Sequence, residues 1–178
     1  VYKRQPLEFT NRLGSPLMDA LVFVKDVLDG FGIKKHIKII ASGKAMNAFD
    51  LVKLSCLGAD VIYSARAMML ALGCIQALEC NSNSCPTGIT THKSELVEGL
   101  DVDDKAERVH SYHENTLHAF AEMLGAAGIR DVSRLGRSLL YRRQDHSIVK
   151  RYDQIYPRVE QGSLLQDTIP DHLELYFY

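Results

Sequence analysis

Between residues 17 and 72 the sequence alternates helix-type and strand-type patterns, and no other feature restricts the fold as much. Leu17, Leu21, Val24 and Leu28 recur at helical spacing, with Ala20 and Val27 beside them, so a helix with one apolar stripe is expected. Ser15-Pro16 is read as its start, Ser as cap and Pro in the first turn, and Gly30 and Gly32 as its stop. The β-branched run Ile37-Lys-Ile-Ile-Ala41 predicts a buried strand, broken by Ser42-Gly43-Lys44. Residues 47–57 read as a second helix, with Phe49, Val52, Leu54 and Cys56 apolar and Gly58 at its end. Val61-Ile-Tyr63 follows as a strand, and Ala65 to Leu72 as a third helix. Helix, strand, helix, strand, helix with short connections is the order of parallel βα units, which sets the fold class as α/β.

Only two strands are evident in 178 residues, whereas a (β/α)₈ barrel takes about 250 residues and eight strands. The chain cannot close such a barrel alone; it is a small α/β domain or the end of a larger one. Further on, Asp104 and Glu107 stand at capping-box spacing. Val109, Tyr112, Thr116, Phe120, Met123 and Ala127 trace a helix of about six turns, closed by Gly128. Asp131 is a candidate cap for another short helix. Residues 141–178, punctuated by Pro157, Gly162 and Pro170, read as an extension wrapping the surface. The organisation expected is βα units over 1–73, a cysteine loop over 74–92, a helical segment over 93–140 and the extension over 141–178.

Net charge is -1, so a global nucleic-acid-binding surface is not indicated, and Lys34-Lys35 and Arg142-Arg143 read as solvated edges. No stretch reaches the eighteen or so apolar residues of a membrane span. Without a signal-like N-terminus, a reducing cytoplasmic location is expected.

Three of the four cysteines fall within twelve residues, as Cys74-x5-Cys80-x4-Cys85, with Pro86 next. In a reducing compartment this clustering favours a metal over disulfides. Thiolates suit iron–sulfur clusters and zinc, and three of them match a three-iron core. The intervening Asn81-Ser-Asn-Ser84 turns easily and can aim N–H groups at cluster sulfides. Zinc with His92 as fourth ligand is an alternative, as are buried structural thiols, the role assigned to Cys56.

Both strands end in loops suited to an anion. Ser42-Gly43-Lys44 offers close backbone approach before a helix N-terminus, and Ser64-Ala65-Arg66 adds a guanidinium. Two adjacent βα loops of this kind can grip one phosphate, the arrangement frequent after strands seven and eight of barrels.

Ile39-Ile-Ala-Ser-Gly43, Leu57-Gly-Ala-Asp60, Ala65-Arg-Ala-Met-Met-Leu-Ala-Leu-Gly-Cys74 and Cys80-Asn-Ser-Asn-Ser-Cys-Pro-Thr-Gly-Ile89 resemble the FMN-binding domain of glutamate synthase, nearest to the shorter glutamate-synthase-like proteins that lack the amidotransferase domain. The resemblance runs from about Leu7 to Gly128, and Ser138 to Leu165 is similar to the tail of the shorter proteins. It implies a (β/α)₈ barrel whose seventh and eighth strands are the two found here. It places [3Fe-4S] ligands on Cys74, Cys80 and Cys85, and flavin-phosphate loops on Ser42, Gly43 and Lys44 and on Ser64, Ala65 and Arg66. The activity implied is oxidoreductase: reductive formation of L-glutamate from 2-oxoglutarate and ammonia, itself released from glutamine in the full enzymes. Electrons from a reductase or ferredoxin would pass through the cluster to FMN.

Several features depart from the family. The first six strands are absent, and Val1-Tyr-Lys-Arg-Gln5 replaces a glycine-rich stretch before Pro6-Leu-Glu-Phe9. This predicts an inactive fragment, prone to self-association through an open barrel face. The alternative is a non-catalytic, zinc-structured or assembly module. His110, His113 and His118 read as solvated helix residues, Asp103 and Asp104 as dipole charges, and Tyr176-Phe-Tyr178 as a docking tail.

Overall fold

The computed structural model describes residues 13–166, 169–174 and 176. The expectations placed on residues 1–12 and on Phe177 and Tyr178 therefore lie outside the described residues. Helix α1 spans Leu17–Gly30, strand β1 Ile40–Ser42, helix α2 Ala48–Leu57, strand β2 Val61–Tyr63 and helix α3 Ala65–Ala71. β1 and β2 pair in parallel, with Ile40 opposite Val61, Ala41 opposite Ile62 and Ser42 opposite Tyr63. This is the βα arrangement expected from the alternation. The sheet has two strands and no closed barrel forms among the described residues.

Local chemistry explains the boundaries. The Asn47 side chain accepts from Asp50 N–H and caps α2. Gly58, at φ 118, closes that helix in the left-handed conformation, its N–H reaching the Ser55 carbonyl. α1 departs from expectation: Pro16 occupies the cap position, and Ser15 makes no capping bond. Its stripe is shifted too, since Leu21, Val22 and Asp26 are buried while Val24 is exposed. β1 begins three residues later than its apolar run, because the ladder is set by β2. Asp60 N–H and Val61 N–H both reach the Ile39 carbonyl, and the Asp60 carboxylate accepts Ile39 N–H at 2.7 Å.

One core joins α1, β1 and α2 through Leu21, Val22, Ile39, Ala41, Leu54 and Leu57. Each of its larger side chains contributes roughly 1.5–3 kcal/mol on burial. Cys56 is buried here, its thiol pushed up to about 11 by burial, so it acts as a packing residue as expected. Ala41 is buried against the helices, whereas Ile40, Val61 and Tyr63 remain exposed. The alternation of a pleated strand puts those three together on the sheet's other, uncovered face.

After the cysteine loop come helix α4, Ser94–Val97, and helix α5, Val102–Ala126. The expected capping pair of Asp104 and Glu107 does not form: Asp101 is the cap and accepts from Asp104 N–H at 2.8 Å. Asp131 caps a short 3₁₀ turn, accepting from Ser133 N–H.

The extension is more than a surface wrap. Strands β3, Tyr141–Arg143, and β4, Val149–Arg151, form an antiparallel hairpin, followed by helices α6, Tyr152–Ile155, and α7, Asp171–Glu174. Leu140 and Tyr152 enter the main core, and Val159, Leu164 and Leu173 build a second one on Phe23 and Val27. At the seam Asp26, 2 % exposed, accepts from both terminal nitrogens of Arg137, at 3.1 and 2.5 Å, and lies 3.1 Å from His172 Nε2.

Candidate functional site

The strand register brings the two predicted anion loops to one end of the sheet, because Ser42 and Tyr63 are direct neighbours. Gly43 approaches α1 so closely that an added Cβ would lie 3.0 Å from Leu17 Cδ2. Lys44 adopts the left-handed conformation (φ 52). Lys44 is exposed and Arg66 half-buried, and neither has an ion-pair partner among the described residues. Ala65 opens α3. The Ser64 hydroxyl donates to the Ala45 carbonyl at 2.7 Å and ties one loop to the other.

Two contacts with no signal in the sequence hold the same loop. Met46 N–H donates to Asp50 Oδ2 at 3.0 Å, and the Tyr112 hydroxyl of α5 donates to the Met46 carbonyl. In the sequence Tyr112 stands out only as part of a helical stripe. Replacing it with Phe keeps the ring and removes one hydrogen bond, with an expected cost of about 0.5–1.5 kcal/mol. Faster amide hydrogen exchange over residues 43–47, with α5 unaltered, is the expected outcome.

α3 carries the chain from the second anion loop to the cysteines. Its seven residues span about 10 Å. Cys74, Cys80 and Cys85 then border one small open cavity, together with Thr87, Ile89 and Thr90. None of these thiols is in a disulfide. The loop between them is folded against backbone preference, with Gln76, Leu78 and Asn83 at φ 59, 62 and 61. Such conformations cost of order 1–3 kcal/mol each and concentrate at functional sites. Asn83 is locked from both sides, its carbonyl accepting the Thr91 hydroxyl at 2.7 Å and its Oδ1 accepting His92 N–H at 2.8 Å. Gly88 (φ 76) closes the loop, where a Cβ would meet the Leu96 carbonyl oxygen at 2.5 Å.

The sulfurs sit in a donor-rich setting. Gln76 N–H points at Cys74 Sγ at 3.4 Å, and Thr87 Oγ1 lies 3.3 Å from Cys85 Sγ. Burial raises the Cys85 thiol, but the Thr87 hydroxyl, the Thr90 and Thr87 backbones and, least, the Thr90 side chain outweigh it and bring it down to about 6. A thiol with that value is largely thiolate at neutral pH, the form that binds metals. Ser82 and Ser84 do not face the sulfurs with their hydroxyls; both hydroxyls donate to Glu79 instead. His92 is exposed and does not border the cavity, which places the proposed fourth zinc ligand elsewhere. Among the described residues no three His, Cys, Asp or Glu side chains gather tightly enough for one metal ion. His110, His113 and His118 follow that pattern, His118 pairing with Glu122 at 3.3 Å.

Residues 5–130 match the family model described as the conserved region in glutamate synthase. A glutamate synthase large subunit-like protein of Bacillus subtilis, YerD, is 35% identical over 143 residues, covering 80% of this chain and 27% of that protein. An archaeal glutamate synthase [NADPH] of Methanocaldococcus jannaschii is 38% identical over 130 residues, 73% of this chain and 26% of its own length. A chloroplastic ferredoxin-dependent glutamate synthase of Arabidopsis thaliana is 27% identical over 150 residues, 83% of this chain and 9% of that protein. The chain thus spans about a quarter of the length of the first two of these relatives. Paired loops at one sheet end, a short helix and a cavity edged by three cysteines therefore occur in a chain that belongs to the glutamate synthase family.

Proposed function

We propose that this chain carries the last two βα units and the cluster loop of an FMN- and iron–sulfur-dependent glutamate-synthase-like oxidoreductase, which forms L-glutamate reductively from 2-oxoglutarate. The observation that carries the reading is the placement of all three cysteines on one cavity, one short helix away from the paired anion loops. In this reading β1 and β2 are strands seven and eight of a (β/α)₈ barrel, and six more strands come from sequence outside these 178 residues. The open face of Ile40, Val61 and Tyr63 is the barrel interior.

The donor set fits both cofactors. Three soft thiols edge a cavity rather than converge on a point, which suits a [3Fe-4S] core better than a zinc ion needing its ligands at about 2.3 Å from one centre. Lys44 and Arg66 supply cations for the FMN phosphate, on loops that Gly43 lets pack closely against α1. When bound, FMN would supply hydride transfer and the cluster one-electron relay. The residues here do the rest: Ser64, Asp50 and Tyr112 hold the first anion loop in place, and Thr87 keeps Cys85 ready to ligate. The relatives' names specify NADPH or ferredoxin, so an electron-donating reductase domain or ferredoxin is the expected partner, with glutamine or ammonia as nitrogen source.

The isolated chain is expected to form no glutamate and to self-associate through its open face, so that light scattering grows with concentration. Joined to sequence that completes the barrel, it is expected to bind FMN and support glutamate formation from 2-oxoglutarate. A completed barrel that binds neither FMN nor inorganic phosphate would refute the flavin part of this reading. A monomeric, zinc-loaded chain would favour the non-catalytic alternative.

A further inference from the structure

Three threonines crowd the third cysteine, and one of them lacks a well-formed hydrogen bond. The Thr91 hydroxyl donates to the Asn83 carbonyl at 2.7 Å, and Thr87 Oγ1 stands beside Cys85 Sγ. Thr90 Oγ1 is closed off from solvent and has no partner that meets hydrogen-bond geometry. Thr90 nevertheless borders the same cavity as Cys74, Cys80 and Cys85. A buried hydroxyl without an acceptor is unfavourable, and native folds keep few of them. Its acceptor is therefore supplied by whatever fills the cavity. Cys85 Sγ already has Thr87 as its hydroxyl neighbour, and the Thr90 hydroxyl makes no well-formed bond to it. With three thiols on the rim, a sulfur-bearing group is the chemistry that both ligand set and hydroxyl would recognise.

We propose that Thr90 is a positioning residue whose hydroxyl donates a hydrogen bond to an inorganic sulfide of the bound cluster and thereby raises its reduction potential. This rests on the iron–sulfur reading given above. Reduction adds one electron to the cluster, with no bond made or broken in the protein. The added negative charge falls on iron and sulfide, and a donor aimed at sulfide stabilises the reduced state more than the oxidised one.

The test uses the whole chain, loaded anaerobically with ferrous iron and sulfide, with the midpoint potential read by a dithionite titration followed by electron paramagnetic resonance. Thr90→Val keeps the shape and removes the hydroxyl; Thr90→Ser restores it. Thr90→Val is expected to keep its iron and sulfide while its redox equilibrium shifts about tenfold toward the oxidised form, a midpoint lower by about 59 mV for one electron. Thr90→Ser is expected to return to the parent value. Loss of iron in the Val variant with full loading in the Ser variant also supports the assignment, since the hydroxyl alone separates them. An unchanged midpoint in a fully loaded Thr90→Val, or equal shifts or equal iron loss in both variants, overturns it while leaving the cluster reading intact. A parent chain that takes up no iron overturns both.

Discussion

Replacing Cys85 with alanine is expected to reduce the iron and sulfide held by the chain to background, the largest effect foreseen for any single substitution. Cys85 is the most buried of the three cavity thiols, and it is the one held down to about 6 by the Thr87 hydroxyl and the surrounding backbone. Metal binding requires the thiolate, so its loss removes the ligand best prepared to bind. The sign with pH follows. Above about 6 the Cys85 thiol is ionised and ready to ligate; as pH falls through that value protons compete with iron, and loading should decline. Cys56→Ala, by contrast, should leave iron content unaltered, because Cys56 is a core residue away from the cavity. Iron and acid-labile sulfide per chain, measured for both variants over a pH series, check the prediction. A Cys85→Ala chain with parental iron would remove Cys85 from the ligand set.

The second large effect concerns stability. Arg137→Ala is expected to destabilise the chain by about 3–5 kcal/mol, the usual result of removing one partner from a buried ion pair. Asp26 is 2 % exposed and its carboxylate is met by both terminal nitrogens of Arg137. The same guanidinium donates to the Tyr156 and Pro157 carbonyls at 3.1 and 3.3 Å, so it also anchors the segment leading into the second core. His172 meets only Asp26 Oδ2 and cannot replace a two-nitrogen contact. Lysine should not rescue, because a single ammonium cannot reproduce the fork. For a chain of this size the change corresponds to roughly 6–20 °C in melting temperature. Urea unfolding of the parent, Arg137→Ala and Arg137→Lys proteins would measure it, and a loss under about 1 kcal/mol would show the pair to be solvent-screened.

These two sites differ in how far the sequence disclosed them. α2 was legible almost to the residue because both its signals are local: Asn47 bonds Asp50 three positions on, and Gly58 supplies the left-handed stop. β1 was placed early because its apolar run starts before its partner does, and Asp60 fixes the start of pairing from the other strand. The start of α5 was misplaced for a similar reason, since Asp101, Asp103 and Asp104 lie close together and each can serve as a cap. The burial of Tyr152, Val159 and Leu164 in the extension has no local signal, because the contacts of this region are remote. Arg137 reaches a residue 111 positions back and Tyr156 bonds Asp19 137 positions back, distances that no sequence window covers.

The spacing of the cysteine trio marks it out while leaving cluster, zinc and structural thiols open, and all three border one cavity. Thr87 and Thr90 have no such mark, since a threonine in a polar loop carries no sign of facing a sulfur. The bond from the Ser64 hydroxyl to the Ala45 carbonyl, which joins the two loops, has no sequence signal either. Tyr112 was hidden as one apolar residue among others, although its hydroxyl connects the helix beyond the cysteine loop to the first anion loop.

The central claim is that the three cysteines hold an iron–sulfur cluster, and one measurement addresses it directly. Iron, zinc and acid-labile sulfide are to be assayed together on the anaerobically purified chain, beside a Cys74→Ala, Cys80→Ala, Cys85→Ala triple variant. The account predicts iron and sulfide in the parent near the ratio of three to four, negligible zinc, and none of the three in the variant. Stoichiometric zinc without sulfide in the parent, or iron and sulfide that persist in the triple variant, would contradict it.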